Sequence, residues 1–118
     1  MIIFKPIPLD FIKQIKDKAR VSLNDVLLTI WSHAVHEYCN IRDCDIINNK
    51  KERILFRVMM TYGFAHKKNS DAAEAIRNQW VAIDVNLPIG VKSIGYKLKY
   101  INQMTTYLKS SPVVSFMH

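Results

Sequence analysis

The stretch Val21-Ser22-Leu23-Asn24-Asp25-Val26-Leu27-Leu28-Thr29-Ile30-Trp31-Ser32-His33-Ala34-Val35-His36-Glu37-Tyr38 decides how this chain is read. Ser22 can accept from an otherwise orphaned backbone N–H. Asp25, three positions on, sets a carboxylate where a helix dipole is positive, a capping box with Asp in place of Glu or Gln. Val26, Leu27, Ile30, Trp31, Ala34, Val35 and Tyr38 then recur at helical spacing. They predict a long helix with a broad apolar stripe that must be buried.

Upstream, Ile2, Ile3 and Phe4 read as a short strand closed by Pro6-Ile7-Pro8, and Leu9 to Ala19 reads as a helix with Lys13, Lys16 and Lys18 turned outward. Downstream, Asn40 to Arg53 is a polar loop. Ile54 to Met60 is a nearly continuous apolar strand, the pattern of a sheet covered on both faces. A loop from Tyr62 to Ser70 leads to a short helical turn over Asp71 to Ile76. A strand follows from Trp80 to Leu87, stopped by Pro88 and Gly90. The last long helix spans Val91 to Lys109, with Val91, Ile94, Leu98, Ile101 and Leu108 on one face. Strand, helix, helix, strand, turn, strand, helix implies a layered α/β or α+β unit, a mixed sheet packed by two long helices. Three short strands cover two long helices poorly, so the chain is expected to be incomplete or to depend on a partner.

Composition narrows the classes further. At 118 residues the chain allows one small domain or one piece of a larger one, and 49% apolar residues argue against disorder. The longest apolar run is four residues, far short of a bilayer span. No basic segment followed by an apolar core opens the chain, so no secretory signal is visible. The expected location is intracellular, cytoplasmic or peripheral to a membrane, unless an address lies on sequence outside this chain. Cys39 and Cys44 are too few for a disulfide framework and read as free thiols in a reducing compartment. The net charge is +7, and Val91 to His118 carries lysines and no acid. Such a tail can face anionic head groups, a phosphorylated cofactor or nucleic acid. No zinc-finger spacing, basic zipper or aromatic strand motif accompanies it, so no nucleic-acid partner is expected.

Val21 to Thr29 resembles the "ND" segment of the wax ester synthase/diacylglycerol acyltransferase family, where Ser or Thr, an apolar residue and Asn-Asp-Val open a long helix. The resemblance continues in order. An apolar strand follows (Ile54 to Met60), then an Asn just before an apolar strand ending in Leu-Pro (Asn78, then Trp80 to Pro88), then a basic amphipathic helix (Val91 to Lys109). One departure stands out. Relatives often follow the first strand with Pro, a small residue and Arg, where this chain has Thr61-Tyr62-Gly63-Phe64-Ala65-His66.

The resemblance implies an incomplete chloramphenicol-acetyltransferase-like domain: residues 1–118 as part of an O-acyltransferase C-terminal domain. The intact enzyme would join acyl-coenzyme A, its co-substrate, to a long-chain alcohol or diacylglycerol. In that family the second His of a His-His-x-x-x-Asp-Gly motif takes the alcohol proton. No two of His33, His36, His66 and His118 are adjacent, so this chain holds no catalytic residue of that type and the base belongs to a missing N-terminal domain. No bound cofactor is expected. The alternative is a small basic binding or interaction protein that keeps the fold but not the reaction.

Asn24, Asp25 and Asn78 are the family-motif positions, and each reads as structural, Asn24 and Asp25 because they stand beside a helix cap. His33 and His36 followed by Glu37 invert the His-Glu-x-x-His order of zinc helices and lack a third ligand, so a half-exposed pair is favoured over a metal. Lys67 and Lys68, beside His66, could meet phosphate but read more simply as a solvated loop. Lys92, Lys97 and Lys99, with Tyr96, Tyr100 and Tyr107, fit an interfacial helix. They fit equally a helix packed on a sheet with its lysines in water, which is the favoured reading. Ser110-Ser111 and Thr105-Thr106 lack nucleophile-elbow glycines.

Overall fold

A computed structural model describes residues 3, 5–44, 54–63 and 80–111. Helix α1 spans Leu9–Ala19 and helix α2 spans Leu23–Ile41. Strand β1 runs Leu55–Gly63, strand β2 Trp80–Pro88 and helix α3 Ile94–Ser110. The two strands form one antiparallel pair, so helices and sheet coexist in an α+β arrangement. Residues 57–86, the greater part of both strands, form one compact unit, while the three helices and the bases of the strands form the other.

Local chemistry explains the boundaries of the helices. Arg20 adopts a left-handed conformation (φ 54°) at the end of α1, and Val21 N–H donates to Lys16 O at 3.1 Å, satisfying carbonyls that the helix leaves free. Ser22 then caps α2 as the sequence requires. Its hydroxyl accepts from Asp25 N–H at 3.2 Å while its own N–H donates to the Asp25 carboxylate at 2.9 Å. Helix α3 begins three residues later than the apolar pattern predicts. Ser93 Oγ accepts from Tyr96 N–H at 3.2 Å, so the side-chain cap, not the periodicity, fixes the start.

Several expectations need correction. Ile3 lies in irregular backbone rather than in a strand. The strand expected to stop at Met60 continues to Gly63. The stripe predicted to face the core of α2 does not do so: Val26 is buried, but Leu27, Ile30, Trp31 and Tyr38 are exposed, Trp31 at 55%. Leu55, Phe56 and Met59 are exposed as well, so the apolar run of β1 is not covered on both faces. The helical turn over Asp71 to Ile76 lies outside the described residues.

The buried face of α2 is polar instead. Asp25, Thr29, Ser32 and His36 are all buried, at the i, i+4, i+7, i+11 spacing of a single stripe. At about 100° per residue the exposed apolar residues stand on roughly the opposite side of the helix. Among the described residues the buried apolar side chains of the helical unit are Ile12, Val26, Leu87, Ile89 and Ile101. Within the strand unit Val85 is buried and Val81 and Ile83 half-buried, as the alternation in β2 predicts.

Because Ser22 holds the first turn of α2 from both directions, Ser22→Ala should cost about 1 kcal/mol in urea unfolding. A change below a few tenths would mean that the cap contributes nothing.

Candidate functional site

The polar stripe of α2 is the most organised chemistry in the described residues. Its carboxylate is the hub. Asp25 accepts from Thr105 Oγ1 at 2.6 Å and from Asn102 Nδ2 at 2.9 Å, both on α3, besides the Ser22 N–H. Burial by itself would raise the Asp25 carboxyl. The hydrogen bonds from Thr105, Asn102 and Ser22 outweigh it and hold the group below its ordinary value. Thr29 Oγ1 donates back to Asp25 O at 2.7 Å, closing the seam from within.

Further along α2 the seam grips the last residue of β2 and the turn after it. Ser32 Oγ donates to Pro88 O at 3.2 Å, and His36 Nδ1 lies 2.7 Å from Ile89 O. A carbonyl can only accept, so His36 Nδ1 carries the hydrogen. Ser32 and His36 are one turn apart, yet the Ser32 hydroxyl is directed to a carbonyl rather than to the ring. They are two fasteners and not a nucleophile with its base. The ring of His33 stacks on His36 with centroids 6.2 Å apart, and His33 Nε2 lies 4.0 Å from Glu37 Oε1. Among the described residues His33 Nδ1 is enclosed and has no hydrogen-bond partner.

From α3, Lys97 reaches across to donate to Ser32 O at 3.2 Å and is fully buried. Burial pushes its ammonium below the ordinary lysine value, offset in part by the charge of Glu37. This corrects both readings of Lys97, in water as the favoured one has it or against phosphate or lipid: it is buried inside the helical unit. Lys92 and Lys99 remain exposed, as does Asn24, while His36 is buried rather than half-exposed. Asn78, Lys67, Lys68 and His66 lie outside the described residues. The roles of Thr105 and Asn102 were not read from the sequence. The available signal is spacing: positions 97, 101 and 105 share a face of α3, and that face is the buried one.

What this arrangement does is hold two helices together with directed bonds. Among the described residues no three His, Cys, Asp or Glu side chains group to hold a metal, and no helix is long and apolar enough to cross a membrane. Comparison with protein-family models, curated proteins and solved structures finds no match.

Two outcomes follow from the buried charges. Asp25 has a lowered carboxyl, so its contribution is fully present above the ordinary carboxylate value of about 3.9 and is lost as pH falls through the lower folded value. Urea unfolding from about pH 7 to about pH 2 should therefore show wild type converging on a uniformly weaker Asp25→Asn. Parallel curves would remove Asp25 as the acid-sensitive link. Lys97 behaves oppositely: its folded value is lowered, so its cost is present at neutral pH and relieved as pH rises through that value toward the unfolded value of about 10.4. Lys97→Met should raise the melting temperature at neutral pH, because a buried ammonium bound to one carbonyl is replaced by an apolar chain of similar length. A lowered melting temperature would show that the Ser32 contact outweighs desolvation.

Proposed function

We propose that this chain is one slab of an acyl-coenzyme A-dependent O-acyltransferase of the wax ester synthase/diacylglycerol acyltransferase type, contributing scaffold and channel wall rather than the proton acceptor. One observation carries the reading. Helix α2 presents a satisfied polar seam to α3 on one side and an open apolar face, Leu27, Ile30, Trp31, Tyr38 and Ile41, on the other. A helix with directed bonds on one side and large apolar side chains on the other belongs between two layers. The second layer would be the remainder of a chloramphenicol-acetyltransferase-like domain together with the N-terminal catalytic domain.

The position of Asp25 supports the same reading. In the resemblance the Asn-Asp pair opens the long helix, and here Asp25 ties that opening to α3 while Asn24 faces outward. In the intact enzyme a histidine from the missing segment would take the proton of a long-chain alcohol or diacylglycerol, whose oxygen then attacks the acyl thioester. His36 is unsuited to that task because it is buried and bonded to Ile89 O. The exposed Lys92 and Lys99 favour, as a second reading, a basic interaction protein that retains the fold without the reaction.

The two readings part on one pair of measurements. Coenzyme A release with a lipid alcohol should be absent for the 118-residue chain and present for a longer in-frame product carrying His-His-x-x-x-Asp-Gly. Trp31→Ser should change the stability of the chain alone by under about 0.5 kcal/mol but cost about 3 kcal/mol in the longer protein. Release by the chain alone, or an equal effect of Trp31→Ser in both, would overturn the proposal. An upstream sequence without the motif would favour the interaction protein.

A further inference from the structure

The C-terminus of α2 brings together two side chains that the acyltransferase reading does not use. Asp43 takes a left-handed conformation (φ 50°), Asp43 N–H donates to Asn40 O at 3.2 Å, and Cys44 N–H donates to Cys39 O at 3.0 Å. These bonds define a Schellman cap, in which the residue after the left-handed step packs against the third residue from the helix end. Those two positions are Cys44 and Cys39. In a continuous helix, residues five apart diverge by about 140° around the axis. The left-handed step at Asp43 instead folds Cys44 back over the last turn. Both thiols are free and partly exposed, and the chain has no other cysteine to compete. The two side chains interact: partial burial, then the hydrogen bond and charge of Cys44, raise the Cys39 thiol.

We propose that Cys39 and Cys44 form a thiol–disulfide switch that closes an intramolecular disulfide across the cap of α2 by exchange with a small-molecule disulfide of the glutathione type. One of the two cysteines, as its thiolate, attacks one sulfur of the small disulfide, forming a mixed disulfide and expelling one small thiolate. The other, losing its proton, attacks the protein sulfur of that mixed disulfide and expels the second. Two protein thiols are oxidised by two electrons, one small disulfide is reduced to two thiols, and the two protons pass to the departing thiolates. The inference is independent of the acyltransferase reading, since it rests on the helix cap alone.

The test is equilibration of the 118-residue chain with reduced and oxidised glutathione, acid quenching, maleimide blocking and mass spectrometry. The expected product is lighter by two hydrogens, carries no glutathione, takes up no maleimide, and returns to the dithiol with dithiothreitol. The same chain in urea should form the disulfide with an equilibrium constant about tenfold smaller, because the cap no longer holds the pair. Asp43→Gly should keep the native constant, since glycine enters the left-handed region freely. Asp43→Val should lower it by about tenfold, since a β-branched residue there is strained. Circular dichroism identifies any variant that has lost its helices, and the wild-type comparison with urea stands without either variant. Accumulation of singly or doubly glutathionylated protein would overturn the proposal. So would equal constants for native and urea-treated chains.

Discussion

The helical part of this protein depends on one carboxylate. Asp25 is taken out of water and compensated by hydrogen bonds from Ser22, Asn102 and Thr105. A buried carboxylate left without those donors would be costly, so the start of α2 and the middle of α3 are obliged to stay in register with each other. Directed bonds impose that register, and Ser32, His36 and Lys97 extend the same principle toward the end of β2 and the turn after it.

That reliance on polar contacts inverts the usual relation between amphipathicity and burial. Helix α2 has two stripes of helical periodicity, one polar and enclosed, the other apolar and open. Lys97 sharpens the contrast, because a buried ammonium whose hydrogen bond, among the described residues, goes to one carbonyl is a weak way to stabilise a helix pair. The pattern is coherent if the geometry of the α2–α3 pair matters more than its stability in isolation, as it would for a scaffold meeting a second layer.

Much of the local structure was legible in the sequence. The bounds of α1, the capping box at Ser22 and Asp25, and the strand from Trp80 all follow from residue type and spacing. The start of α3 was read three residues early because Val91 continues the apolar period, whereas Ser93 supplies the cap. The larger miss was the inward face of α2. Periodicity groups Leu27, Ile30, Trp31 and Tyr38 on one side, but it cannot say whether this chain or another covers them. Polar residues at 25, 29, 32 and 36 share a period too, and only the donors on α3 and the carbonyls after β2 turn that face inward. The Cys39–Cys44 contact was hidden for a different reason: left-handed caps are normally announced by glycine, and here the position is Asp43.

At the foot of the strands, Gly90 N–H donates to Ile54 O at 3.2 Å. Together with the bonds of Ser32 to Pro88 O and of His36 to Ile89 O, it fixes residue 54 and residues 88–90 within the helical unit. For a tethered loop, each doubling of length costs only about 0.6 kcal/mol in closure entropy. A change in the length of chain between residues 54 and 90 therefore carries a small entropic cost at this closure, and the donors to Asp25 all lie outside that span.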